Sequence, residues 1–94
     1  MIKKITLLEY LDRIIVTRNA IADFFILLSR FSEKEILLDF SDIEFMSRSC
    51  ADEYIKRKLA SHKNIKEINL SKNVLAMFLL VARQNNLDAR TIFH

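Results

Sequence analysis

Apolar positions along the chain change period several times, and each change marks a predicted element. Residues 2–8 read as a strand. A turn at Leu11 or Asp12 follows, and residues 13–16 read as a second strand, hairpinned to the first. Behind Thr17, a candidate N-cap, Ile21, Phe24, Phe25, Leu28 and Phe31 recur at helical spacing and form one stripe. Ile26 and Leu27 widen that stripe beyond one packing face, and Ser32, Glu33 and Lys34 close the helix.

Residues 36–40 are the clearest strand, a near-continuous apolar run suited to a central position buried on both faces. Residues 41–47 read as a loop anchored by Ile43, Phe45 and Met46. A second helix is predicted over 49–62, with Ala51, Ile55 and Leu59 facing inward. Asp52 with Lys56, and Glu53 with Arg57, place the acid first at i,i+4, the favourable order on a helix surface. Residues 65–70 alternate as a strand, Asn73 caps a third helix over 74–84, and 89–93 predict a last short strand. Strands alternating with helices imply an α/β fold: one small domain, residues 1–94, with a four- or five-strand mixed sheet and three main helices.

Composition narrows the function more than the fold. At 51% hydrophobic and 29% charged, the chain can build its own core. It contains neither glycine nor proline, so its turns must use Asn, Asp, Ser, Lys or Glu. Phosphate-cradling loops of the Walker or dinucleotide type need glycine where backbone meets phosphate, and are excluded. The single cysteine, Cys50, reads as a small core residue, and with only His62 and His94 available neither a metal site nor a catalytic triad can be assembled. No cofactor is expected. Residues 1–5 lack a signal-peptide core, and the longest apolar run, 74–82, is too short to span a bilayer. The expected setting is cytoplasmic, without membrane contact.

The net charge of +3 is mildly basic. Lys56, Arg57, Lys58, His62, Lys63 and Lys66 form the densest basic segment. A solvated helix face is its simplest use, and a nucleic-acid-associated regulator is the alternative. No aromatic side chain is interleaved with these cations, which disfavours single-strand binding.

Chemistry concentrates between Leu38 and Glu53. A buried strand runs into a short loop and then a helix start carrying Ser47, Arg48 and Ser49. Helix N-termini present unpaired N–H groups and a partial positive charge, a geometry suited to phosphate. Ser47 and Ser49 are candidate caps and candidate phosphosites; Asp52 and Glu53 complement the dipole in the first turn. Asp39 could pair with Arg48 or accept backbone N–H groups. Leu38-Asp39-Phe40-Ser41 followed by Phe45-Met46-Ser47-Arg48-Ser49-Cys50 resembles the STAS domains of the anti-sigma-factor antagonists. It resembles still more closely the STAS-like DUF4325 group, which Asp39, Phe40, Ile43, Ser47, Ser49, Ala51, Asp52 and Glu53 fit. Thr17-Arg18 and Asn73-Val74 stand where that resemblance places helix starts.

In this resemblance the phosphorylatable serine of the antagonists falls on Arg48, the preceding aspartate on Ser47 and the following glycine on Cys50. The implied role is a regulatory protein–protein interaction module without catalysis. It would present Ser47, Arg48, Ser49, Asp52 and Glu53 to a partner, such as a kinase-like ATPase or another regulatory factor. Apolar surplus at Ile26, Leu27, Leu79, Leu80 and Val81 adds self-association as an expectation.

Overall fold

The computed structural model describes residues 1–93. Three strands, β1 (Ile2–Thr6), β3 (Glu35–Asp39) and β5 (Asn64–Ile68), form a parallel sheet in the order β1-β3-β5. Two further strands, β2 (Ile14–Ile15) and β4 (Phe45–Met46), pair in parallel as a separate small ribbon. The helices are α1 (Arg18–Ser29), α2 (Arg48–Ala60), α3 (Lys72–Gln84) and the short α4 (Ala89–Ile92). The α/β reading therefore stands, with two corrections: every strand pair is parallel, and the five strands divide between two sheets.

β3 is central, as its apolar run predicted, with Ile5, Leu38 and Glu67 aligned across the three strands, but the expected burial on both of its faces does not hold. Ile5, Ile36, Leu38 and Ile65 are buried, while the alternate positions Lys4, Glu35, Asn64 and Lys66 are exposed. Period-two alternation thus turns one sheet face to the helices and the other to solvent. α2 packs between α1 and α3. At the centre lies the fully buried Tyr54, whose ring centroid is 5.3 Å from that of Phe25, 5.9 Å from Phe40 and 4.9 Å from Phe78.

Several predicted details change. The hairpin between the first two strands does not form; a 3₁₀ turn, Leu7–Glu9, ends β1, and β2 pairs instead with β4. The 41–47 loop accordingly contains a short strand. Within it Met46 is buried but Phe45 is 40% exposed, so Phe45 is no inward anchor. Leu59 is 55% exposed; α2 buries Cys50, Ala51, Tyr54 and Ile55 instead. Ser71, not Asn73, caps α3 by accepting the Val74 N–H. Thr17 holds the N-cap position of α1 without a side-chain capping bond. The tail is helical at α4 rather than a strand, and Ile92 there is buried.

Without glycine, three turns place Asp42, Asn69 and Asn86 at φ of 64°, 59° and 57°. These are the residue types that tolerate the left-handed region best after glycine. No helix among the described residues is long and apolar enough to cross a membrane.

Candidate functional site

The junction from β4 into α2 is built around Ser47. Its side-chain oxygen accepts the Cys50 N–H at 3.3 Å, which caps the helix. Its own N–H donates to the Ile15 carbonyl at 2.9 Å and ties the helix start to β2. The Ser47 and Ser49 hydroxyls lie 3.2 Å apart, and the Ser47 hydroxyl is also 3.5 Å from the Val16 carbonyl. Both candidate phosphosites are thus half-buried and engaged in building the junction.

Arg48 differs from its neighbours. It opens α2, is exposed, and makes no ion pair or side-chain hydrogen bond among the described residues. Beside it the small ribbon turns one edge of its pattern outward. Ile14 and Phe45 are aligned partners, 56% and 40% exposed, and Val16 follows at 57%. The buried faces of the same strands, Ile15 and Met46, hold the ribbon to the core. The result is an apolar patch edged by a free guanidinium. The outward apolar residues were missed in the sequence because a two-residue strand is too short to declare its period. The adjacency of Phe45 and Met46 was the available signal, since neighbours on a strand face opposite ways.

Asp52 and Glu53, although near in sequence, serve the fold. Arg18 Nη1 lies 3.1 Å from Asp52 Oδ2 and 3.2 Å from Glu53 Oε1, which bridges α1 to α2. Lys56 and Arg57 complete the predicted i,i+4 pairs at 2.9 and 2.7 Å. Asn85, at the end of α3, donates to Asp52 Oδ1 at 3.3 Å. The Lys56 ammonium first, then Arg18 and Asn85, hold the Asp52 carboxyl below its ordinary value against the opposing effect of burial. Arg57, then Arg18, do the same for Glu53. These two acids form a seam joining three helices, and little of either faces outward.

Asp39 accepts from the Ser41 hydroxyl at 2.6 Å, the Ser41 N–H at 2.9 Å and the Asn69 amide at 3.0 Å. Of its two expected partners, backbone N–H groups are present and Arg48 is not. The Ser41 hydroxyl, then Asn69 and the Ser41 N–H, lower the Asp39 carboxyl to about 2, with Lys4 at 3.9 Å a smaller contributor. This carboxylate stitches the loops after β3 and β5 together.

The basic segment is largely consumed inside the fold. Lys56 and Arg57 hold the acidic seam, and Lys58 pairs with Glu67 at 2.9 Å in near-complete burial. Lys63 Nζ donates to the Phe31 and Glu33 carbonyls at 2.7 and 2.6 Å. His62, in the loop after α2, and Lys66, on β5, are exposed.

Cys50 is a free thiol, fully buried in the core. His62 lies beyond the far end of α2 from Ser47, and His94 lies outside the described residues. No group of three or more His, Cys, Asp or Glu among the described residues could hold a metal ion. No family model, curated protein or solved structure matches the chain.

Proposed function

We propose that the chain is a small regulatory module of STAS-like kind that binds a protein partner, without catalysis, through the corner formed by Arg48, Phe45, Ile14 and Val16. The observation that carries this reading is the unpaired, exposed Arg48 beside a compact apolar patch. Protein interfaces combine an apolar centre with a few anchoring side chains, and arginine and aromatic residues are the commonest anchors. The Arg48 guanidinium offers a planar fork of donors for a carboxylate or phosphate on the partner. The Ser47 cap and the Ile14–Phe45 ladder fix both parts of the patch before binding, which lowers its entropic cost.

The resemblance around Leu38–Glu53 supports the same end of the molecule as the recognition tip, with arginine where the antagonists carry a phosphorylatable serine. The proposal narrows the expected tip. Arg48 meets the partner, Ser47 and Ser49 shape the junction, and Asp52 and Glu53 brace it from behind. A nucleic-acid reading has less support, because Lys56, Arg57 and Lys58 of the basic segment are already paired with carboxylates in the fold.

Affinity capture from the source cell with the wild-type chain, followed by titration of the captured partner, tests the proposal. Arg48→Ala and Phe45→Ala should each weaken that binding at least about tenfold, which corresponds to about 1.4 kcal/mol. Leu59→Ala, an exposed apolar control at the other end of α2, should not. Unchanged affinity in both tip variants would remove the proposal.

A further inference from the structure

A concavity of about 550 Å³ lies at the opposite end of α2 from Arg48, between the C-terminal ends of α1 and α2. Its volume falls within the range of small-molecule sites. Its floor is apolar, formed by Phe25, Ile26 and Leu28. Its rim carries Lys34, Arg57, His62 and Lys63 and no acidic side chain.

The hydrogen-bonding state of that rim defines what could bind. Lys63 is held in place by the Phe31 and Glu33 carbonyls and keeps one N–H free. Arg57 uses Nε on Glu53, which leaves the rest of a side chain 42% exposed to donate elsewhere. Lys34 is exposed and has no ion-pair partner among the described residues. The Ser61 hydroxyl oxygen accepts the Lys63 N–H, so its own proton is available. The unspent capacity is therefore almost all donor, and mostly cationic. It also offsets the negative ends of two helix dipoles, which would otherwise repel an anion. Glu33 and Glu35 flank Lys34 in sequence without lining the groove, and Glu53 is already paired with Arg57 and Arg18.

We infer that this groove binds a small amphiphilic anion, a carboxylate or sulfonate head on an apolar body. The head meets the Lys34–His62–Lys63–Arg57 rim, and the body lies on Phe25, Ile26 and Leu28. A purely hydrophilic anion would forgo the floor, and an amphiphilic cation would meet the Lys34 and Lys63 ammonium groups, which no carboxylate offsets among the described residues. Both charge and apolar surface are required together. This site is separate from the Arg48 corner and does not depend on it.

Amide and side-chain NMR titration of the full chain with decanoate tests the inference, with acetate and decyltrimethylammonium as controls. Decanoate should shift resonances of Ile26, Ser29, Ser61 and His62 saturably, while acetate and decyltrimethylammonium leave them in place at equal concentration. Lys34→Glu combined with His62→Glu should weaken decanoate binding at least about tenfold. Both positions are exposed, so the melting temperature should be little changed; if that pair fails to fold, Lys34→Gln with His62→Gln reads the same effect at smaller amplitude. Equal binding of decyltrimethylammonium, shifts centred outside the groove, or unaltered affinity in the charge variants would overturn the inference.

Discussion

Lys58 Nζ lies 2.9 Å from Glu67 Oε2 beneath the C-terminal segment, with the two side chains only 9% and 2% exposed. Glu67 also accepts the Tyr54 hydroxyl, and Lys58 donates to the Ile92 carbonyl and sits 4.8 Å over the Phe93 ring. One ion pair therefore joins α2, β5 and the chain end, and burial makes each charge dependent on the other.

Breaking a buried pair from one side leaves an uncompensated charge, whereas replacing the whole group with apolar residues need not. Glu67→Leu alone should lower unfolding free energy by about 3–5 kcal/mol. Adding Lys58→Met and Tyr54→Phe should recover a large part of that loss, because of the buried polar groups only the Ile92 carbonyl then loses its donor. Urea unfolding of the three proteins decides the matter. A loss under about 1 kcal/mol for Glu67→Leu would mean that the pair is solvated in solution.

Ser47 and Arg48 are adjacent, yet their substitutions should behave oppositely. Ser47→Ala removes the acceptor for the Cys50 N–H and should cost about 1 kcal/mol. In a domain of this size that lowers the melting temperature by about 4–8 °C. Arg48→Ala removes a side chain with no partner inside the fold and should cost less than about 0.5 kcal/mol. Calorimetry of the two variants separates the residue that builds the corner from the one it displays. Equal destabilisation would assign Arg48 to the fold.

The same contrast shows what could be read from sequence. β3 was legible because a central parallel strand is apolar at nearly every position, and α1 because its stripe buries Ile21, Phe24, Phe25 and Leu28. The β2–β4 pairing was not, since two residues per strand carry no period and their partner lies 31 residues away. α2 was placed well but rotated wrongly. Its buried face includes Tyr54 and the stem of Lys58, which a count of aliphatic residues passes over in favour of Leu59. The Asp52–Lys56 and Glu53–Arg57 pairs were visible from spacing alone; Arg18 as their common third partner needed the fold.

Asn86 follows the end of α3 with φ at 57°, where its N–H donates to the Arg83 carbonyl. Asparagine tolerates this region; a β-branched residue does not. Asn86→Val should cost about 1–2 kcal/mol, while Asn86→Gly should be neutral or slightly stabilising. A chevron or equilibrium urea curve for each variant checks the order. If valine is accepted as readily as glycine, the turn does not hold this backbone in solution.

The pH profile should carry two signatures from opposite sides of neutrality. Asp39 is lowered from an ordinary 3.8 to about 2 by the Ser41 hydroxyl, Asn69 and the Ser41 N–H. A lowered folded-state value favours the folded form wherever the carboxylate is ionised. That contribution is complete above the unfolded value and is lost as pH falls from about 4 towards 2. It amounts to no more than about 2.5 kcal/mol, at 1.36 kcal/mol per pH unit of difference. Asp52, Glu53 and Asp88 are lowered too and contribute with the same sign, so the wild-type acid slope is a sum. Asp39→Asn isolates one share: lower stability at neutral pH, and a shallower acid slope. Tyr54 acts in the other direction. Burial first, then the charge of Glu67 and the bond to it, raise its hydroxyl well above the ordinary 10. The folded state holds that proton more tightly than the unfolded chain does. Stability is therefore undiminished below about pH 10 and declines above it, as the unfolded tyrosine ionises first. The comparison with Tyr54→Phe isolates its share. The phenylalanine variant should be less stable near neutrality, because Glu67 loses a donor, but should lose less as pH rises from 10 to 11.5. Unfolding free energies across both ranges give the slopes directly. An alkaline slope identical in wild type and Tyr54→Phe would place that hydroxyl in water rather than in the core.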